Sequence, residues 1–264
     1  MRVFLFLLLT LFAVLIIMDL PPVPQSENYH NFADKRVVLG IPNFGDVISS
    51  FSFLVVGVIG LLCLFRKSNE NFSRLKRELP YVVFFGGLIL ISFGSAFYHL
   101  NPNNWRLLWD RMPMAICFMA FFSIVIGAIF NKKTANILLI LLIILGIGSV
   151  IFWYLTELQG KGDLRVYIFV QFFPMAVIPL MIFLFPRRII NRKDIFIVLA
   201  LYGIAKIFEL LDEEIFYLTK MMSGHTLKHL VAASVSLWVL RIFRKNQYPL
   251  ALLIGHSQDV PEHF

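Results

Sequence analysis

Long apolar runs recur along nearly the whole chain, and they limit its fold more than any other feature of the sequence. Examples are VFLFLLLTLFAVLIIM (3–18), ISSFSFLVVGVIGLLCLF (48–65) and ILLILLIILGIGSVIFWYL (137–155). A helix of about 20 apolar residues crosses the ~30 Å hydrocarbon core of a bilayer. Because lipid offers no hydrogen-bond partners to the backbone, such runs span a membrane as helices. The sequence therefore predicts an all-α integral membrane protein.

Composition supports a single membrane domain. Hydrophobic residues make up 59% of the 264 residues and charged residues only 15%, against roughly 25% charged in soluble domains. The net charge of +8 comes from basic clusters at the ends of the runs, where lipid headgroups bind them, so we exclude nucleic acid as a partner. Cys63 and Cys117 lie within apolar runs and form neither a disulfide framework nor a CxxC metal site.

The runs predict a seven-transmembrane-helix bundle plus one extra N-terminal hydrophobic helix. The first run reads as a secretory signal or a signal anchor, and the lack of a small-x-small pattern before Asp19 favours a retained helix. The core spans are expected at 43–66, 80–100, 107–130, 135–155, 165–186, 194–218 and 225–243. We divide the chain into an N-terminal helix (1–20), an outer-face capping segment (21–42), the membrane domain (43–245) and a cytoplasmic tail (246–264).

Basic residues predict the orientation of the bundle. One set of span ends carries fifteen Lys and Arg side chains and the other carries seven. By the positive-inside rule both termini are cytoplasmic and the other face is the outer one.

Polar residues of three spans are expected to meet at the outer face. His225 and His229, in HTLKH, lie four apart and share one face of a helix. Such a pair is typical of a metal site, of haem ligation or of two ordinary interfacial histidines. By the alternation of the spans, His99 and Asp110 fall at the same face as His225. Ionisable residues at membrane depth are costly and usually mark functional sites.

These residue types suit metal-assisted hydrolysis. Three neutral imidazoles that leave one position for water are typical of catalytic zinc, which lowers the pKa of that water towards ~7. Asp110 is the candidate general acid/base. Ser95, one helical turn before His99, either supports the transition state or is a small residue of helix packing beside Gly94.

The spacing SxxxH (Ser95, His99), then Asp110, then HxxxH (His225, His229) resembles the CREST superfamily of seven-helix membrane hydrolases, which includes alkaline ceramidases and adiponectin-type receptors. The surrounding stretches are most similar to the bacterial branch of the alkaline ceramidase family, over roughly residues 27 to 245. They are YHNFADKR, GIPNFGDVISSFSFLVVG, GSAFYHLNPNNWRLLWDRMPM and AKIFELLD.

The resemblance implies a zinc-dependent amidase that cuts the N-acyl amide of ceramide, or of a related membrane lipid, to a fatty acid and an amine. It implies His99, His225 and His229 as zinc ligands, Asp110 as acid/base and Ser95 as support for the transition state. It also implies, with the charge pattern, a bacterial inner-membrane protein whose site faces the periplasm.

The chain departs from the family at its calcium site. The acidic N-terminal order Asp-Trp-x-Glu-x-Asn is missing, and Asn43 stands where the family's later Glu would fall. We therefore do not expect calcium, although the oxygens of Glu27, Asn28, Asp34 and Asp46 leave room for a different site.

Other polar residues have simpler readings. Lys206 and Glu209, three apart, read as an intramembrane ion pair or as a contact to a substrate headgroup. The acidic run at 212–214 reads as a solvated helix end. Loop positions are expected for the histidines that lack a partner at ligand spacing, which are His30, His256 and His263.

Two other functions stay open at this point. One is a non-enzymatic seven-helix lipid receptor or binding protein with a structural zinc. The other is a haem-binding electron carrier that uses His99 and one histidine of the HxxxH pair as axial ligands.

Overall fold

The chain folds into a helical bundle, and the computed structural model describes residues 2–66, 75–185 and 191–247. The helices are α1 (Arg2–Asp19), α2 (Phe44–Phe65), α3 (Leu79–Leu100), α4 (Asn104–Ile129), α5 (Lys132–Leu158), α6 (Arg165–Leu184), α7 (Arg192–Leu210), α8 (Asp212–Thr219) and α9 (Gly224–Gln247). A 3-10 turn, Glu27–His30, precedes α2. The tail predicted at 246–264 lies outside the described residues beyond position 247.

Six of these helices, α2 to α6 and α9, are long and apolar enough to cross a membrane. The seventh core helix, α7, carries Lys206 and Glu209 and packs along α9. The shorter apolar α1 packs on α6. The predicted fold class, an all-α membrane bundle, is confirmed.

Asparagine side chains begin three helices of the bundle, α4, α5 and α7. Asn103 accepts a hydrogen bond from the Arg106 N–H, Asn131 accepts one from Thr134, and Asn191 accepts one from Lys193. Each side chain thus pairs with a backbone donor of the first turn that has no partner within the helix.

The sixth predicted core span, 194–218, is wrong in its second half. The helix ends at Leu210, and the short helix α8 follows after Leu211. The acidic run at 212–214 forms the first turn of α8. The Asp212 carboxylate accepts hydrogen bonds from the backbone N–H groups of Ala33 and His225. Tertiary hydrogen bonds therefore divide a segment that apolar periodicity alone would continue.

The bundle has an apolar interior and an apolar exterior. Two clusters of buried side chains fill the interior, one around Phe85 and one around Trp153, and both of these side chains are fully buried. Outward-facing residues of α5 remain between 56% and 63% exposed, namely Ile137, Ile140, Leu141 and Ile144. An exposed apolar belt of this kind suits a bilayer and not water.

One end of the bundle, where α3 ends and α4 and α9 begin, carries His99, Asp110 and His225, and we call it the histidine end. Residues 21–42 lie across it. Val23 accepts a hydrogen bond from the Leu164 N–H at 2.8 Å, and the Gln25 N–H donates to Glu157 at 2.6 Å.

Candidate metal and active site

Three histidines from two helices meet at the histidine end. His99 lies in the last turn of α3, and His225 and His229 lie in the first two turns of α9. One ring nitrogen of each lies within 4.8 Å of the others. The ring centroids are 4.8 Å apart for His99 and His225, 5.1 Å for His99 and His229, and 4.8 Å for His225 and His229. Within the described part of the chain this is the one cluster of His, Cys, Asp or Glu with metal-ligand spacing.

The environment of the three rings fits a metal ion. Each imidazole is at most 5% exposed, and both ring nitrogens of His99 are buried without a hydrogen-bond partner among the described residues. Leaving buried polar nitrogens unpaired is costly. A divalent metal would give such a nitrogen a ligand bond, and uncharged imidazoles are the usual partners of zinc. The donor set therefore fits zinc, although the geometry does not select this metal among those that bind imidazole.

A haem fits this cluster poorly. Axial ligation by two histidines requires the porphyrin plane to lie between their rings. Here the rings of His99, His225 and His229 contact one another at steep angles of 60° to 80°. These contacts leave no slot for a macrocycle.

Ser49 on α2 sets the tautomer of His229. The Ser49 hydroxyl lies 2.8 Å from His229 Nδ1 and donates its own proton to the Asp46 carbonyl at 3.1 Å. With its proton on that carbonyl, Ser49 accepts the Nδ1–H of His229. The Nε2 lone pair of His229 is thereby left available to a metal, which is the usual role of a partner behind a metal-binding histidine.

The start of α9 is fixed by contacts that place His225. The Asp212 carboxylate accepts the His225 backbone N–H at 2.7 Å and the Ala33 N–H at 3.0 Å. A Cβ on Gly224 would clash with the Phe208 carbonyl. Because α9 approaches α7 this closely, only glycine fits at position 224.

Asp110 and Ser95 face each other beside the histidines. Asp110 is 8% exposed and Ser95 is 1% exposed, and the Ser95 hydroxyl is within hydrogen-bonding reach of the Asp110 carboxylate. Ser95 Oγ also lies 3.0 Å from Ser50 Oγ. The preceding residue, Gly94, touches α4 so closely that a Cβ would clash with the Trp109 carbonyl. Ser95 thus lies both at a tight helix contact and beside the Asp110 carboxylate.

A cavity of about 210 Å³ extends from this site into the bundle. Ser95, Asp110 and His229 line its polar part. Most of the remaining wall is apolar, with Phe53, Leu88, Phe118, Met175 and Val239 among its residues.

Charged residues of the cavity form a partly buried network. Lys206 and Lys228 both donate to the Glu209 carboxylate, Lys228 at 2.7 Å, so the ion pair predicted from the sequence gains a second lysine. The Tyr29 hydroxyl donates to the same carboxylate at 3.4 Å. Lys228 Nζ also lies 3.5 Å from His225 Nε2, which joins the network to the histidines.

The segment 21–42 covers the histidines. The Phe32 ring contacts His99 and His225 edge-on, with centroids 4.6 and 4.7 Å apart. His30, expected in a loop without a partner, lies in the 3-10 turn, where it donates to Asn104 and accepts from the Tyr98 hydroxyl at 2.9 Å. Burial lowers the pKa of His30, so its ring is neutral around pH 7. His256 and His263 lie outside the described residues.

Asp34 and Asp46, two of the residues considered for a separate oxygen site, have partners within the chain. Burial alone would raise the pKa of Asp34, but side-chain and backbone hydrogen bonds from Arg36 lower it below the usual value. One oxygen of Asp46 accepts from Thr226 at 2.7 Å and from Ser223 at 3.1 Å. The Asn43 amide donates to the His99 carbonyl at 2.8 Å. Asp34, Asp46 and Asn43 thus brace α2 and α9 and the end of α3.

Comparisons with protein-family models, with curated proteins and with solved structures give no match to this chain. The likeness to alkaline ceramidases therefore rests on the residues quoted from the sequence.

Proposed function

We propose that this protein is a zinc-dependent membrane hydrolase that cleaves the N-acyl amide bond of ceramide or a related lipid amide. The observation that carries the proposal is the convergence of three buried histidines beside Asp110 at the head of an apolar cavity. His99, His225 and His229 would hold the metal. A metal that only stabilised the bundle would give no role to an adjacent carboxylate and serine.

Zinc, when bound, supplies a water molecule of lowered pKa and polarises a carbonyl group. The chain's own residues handle the protons. Asp110 accepts the proton that the attacking water loses and returns it to the leaving nitrogen, which departs as an amine. A carboxylate that is only 8% exposed makes this transfer with little competition from bulk solvent.

Ser95 positions Asp110 and stabilises charge on the carbonyl oxygen. Its hydroxyl has one proton, which it gives either to Asp110 or to the oxygen that becomes negative as the amide carbonyl is attacked. Ser50, 3.0 Å from Ser95 Oγ, holds this hydroxyl in place.

The cavity provides the site for the acyl chain. Its apolar wall excludes water and suits a fatty-acid tail, while its polar end holds Ser95, Asp110 and His229. A lipid that enters sideways from the bilayer places its amide at that polar end. The products are then a fatty acid and an amine, which is a sphingoid base if the substrate is ceramide.

We also propose that the chain resides in a bacterial inner membrane with both termini cytoplasmic and the histidine end at the periplasmic face. The support is the excess of Lys and Arg at the opposite span ends. In the variant Leu39→Cys, with Cys63 and Cys117 replaced by Ala, the new thiol would replace a side chain that is 90% exposed at the histidine end. It should react with a membrane-impermeant maleimide in intact spheroplasts, and labelling only after lysis would refute this orientation.

Asp110→Asn separates catalysis from metal binding. We expect the purified variant to keep the metal content of the wild type and to release fatty acid from ceramide at least about 100-fold more slowly, which is the usual contribution of a general base. The measurement is fatty-acid release from ceramide and from simpler N-acyl amides, with zinc measured on the same samples.

Two outcomes would contradict the proposal. Full turnover by Asp110→Asn would remove the role of Asp110. Zinc in the wild type without turnover of any lipid amide would leave the non-enzymatic lipid receptor as the better account.

A further inference from the structure

The cavity holds one cation that has no anionic partner within the described part of the chain. Arg111, the neighbour of Asp110, lines the cavity and is 5% exposed. It takes part in none of the ion pairs formed among the described residues. Its Nη1 is buried and has no hydrogen-bond partner in residues 2–66, 75–185 and 191–247.

Aromatic rings hold the Arg111 guanidinium in place. Its central carbon lies 4.4 Å from the centroid of Trp153, 4.9 Å from that of Tyr167 and 5.1 Å from that of Tyr29. Such contacts offset part of the cost of burying the charge, but ring faces accept no N–H hydrogen bond of ordinary strength. The rings therefore hold the guanidinium in place, and its Nη1 can still donate a hydrogen bond.

The other charges of the cavity do not supply the missing acceptor. Both oxygens of Glu209 are occupied by the two lysines. With Asp110 ionised, the cavity carries three cations, Arg111, Lys206 and Lys228, against two carboxylates. A bound divalent metal would add to this positive excess. An anionic group on the ligand would balance it.

We propose that Arg111 binds a carboxylate carried by the substrate next to its amide, so that the preferred substrate is an N-acyl amino acid and not a neutral lipid amide. The inference rests on the proposed function and names its substrate class. The planar fork of a guanidinium pairs with a carboxylate through two parallel N–H···O bonds. In an N-acyl amino acid the carboxylate is separated from the amide nitrogen by one carbon, so a substrate with its amide beside Ser95 and Asp110 places its carboxylate in the same cavity that Arg111 lines.

The test compares N-oleoylglycine with N-oleoylglycinamide, which has the same shape without the charge, and with ceramide. We expect the zinc-loaded wild type to hydrolyse the acid with a kcat/KM at least about tenfold above that of the glycinamide, the size of one charge-assisted hydrogen bond. In Arg111→Gln, KM for the acid should rise by a similar factor, so that the preference for the acid over the glycinamide is lost.

A matched control and a binding measurement complete the test. Arg106→Gln, also on α4, removes an arginine that stacks on Phe97 and does not line the cavity, and it should leave the preference intact. Binding of both ligands to chelator-treated wild type needs no turnover and no folded Arg111 variant. We expect the acid to bind at least about tenfold more tightly.

The outcomes separate the two proposals. Hydrolysis of the glycinamide or ceramide at least as fast as of the acid overturns the carboxylate site and leaves the hydrolase standing. If no amide is hydrolysed, the proposed function fails, and binding decides on the carboxylate site. Equal affinities for the two ligands, or a preference for the acid that Arg111→Gln retains, overturn the carboxylate site, whereas a preference that Arg111→Gln abolishes supports it.

Discussion

At the scale of single residues, the site depends on which ring nitrogens are free to bind a metal. The Ser49 hydroxyl fixes one of them by accepting the Nδ1–H of His229. Neither ring nitrogen of His99 has a hydrogen-bond partner in the part of the chain that the structure describes, so His99 is held by packing against Phe32 and the other two rings. His229 is thus oriented by a hydrogen bond, whereas His99 is oriented by packing against the neighbouring rings.

Ser49→Ala tests this orientation. Removing the hydroxyl leaves the Nδ1–H of His229 unpaired and its tautomer unconstrained, so we expect zinc affinity to fall by about 10- to 100-fold. Ser52→Ala is the matched control, because Ser52 lies one turn along α2 and bonds only to the Ser49 carbonyl. The measurement is competition for zinc with a chromophoric chelator, and equal affinities in the two variants would show that Ser49 does not orient the ligand.

The sequence predicts some of these residues and not others. His225 and His229 are evident because residues four apart share a helix face. His99 and Asp110 follow from counting the alternation of spans. Two contacts are not evident from the sequence, the Ser49–His229 hydrogen bond and the Lys228–Glu209 ion pair. Both depend on how α2, α7 and α9 are rotated about their axes, and residue spacing within a helix does not predict that rotation.

At the scale of helices, two close approaches set the site geometry. Gly94 lets α3 meet α4 beside Ser95 and Asp110, and Gly224 lets α9 meet the end of α7 beside His225. Spacing within a helix aligns side chains along one face. Distances between faces of different helices are set by the small residues at these contacts.

Gly94→Ala should separate Ser95 from Asp110. The added methyl group clashes with the Trp109 carbonyl, so we expect a loss of about 1–3 kcal/mol in stability together with reduced turnover. Gly86→Ala, on the same helix, places its methyl group where no atom lies within 4 Å, and it should be neutral or stabilising by up to about 1 kcal/mol. Thermal unfolding in detergent and fatty-acid release give both readouts. Equal behaviour of the two variants would mean that the α3–α4 contact does not control the site.

Helix positions were predictable from apolar runs except where tertiary contacts intervene. The core helices begin and end within a few residues of the predicted spans, apart from α7. The helix ends early because the Asp212 carboxylate accepts hydrogen bonds from two backbone N–H groups. One belongs to Ala33, far away in the sequence, and the other to His225, across a turn. Apolar periodicity carries no information about such partners.

At the scale of the whole molecule, the histidine cluster joins the two ends of the chain's core. His99 comes from α3 and the other two histidines from α9, so a bound metal links helices separated by more than 120 positions. Residues 21–42 cover the cluster, and the cavity opens beneath it. A metal that binds only the folded bundle also stabilises it by mass action.

Metal content tests most directly whether His99, His225 and His229 hold a metal ion. We would measure zinc by elemental analysis in detergent-purified wild type, His225→Ala and His30→Gln, where His30 is a histidine outside the cluster. We expect about one zinc per chain in the wild type and in His30→Gln. We expect His225→Ala to lose its zinc, because two ligands hold zinc far more weakly than three. A wild type that purifies without metal and takes up none when zinc is added, or a His225→Ala variant that keeps all of its zinc, would contradict it.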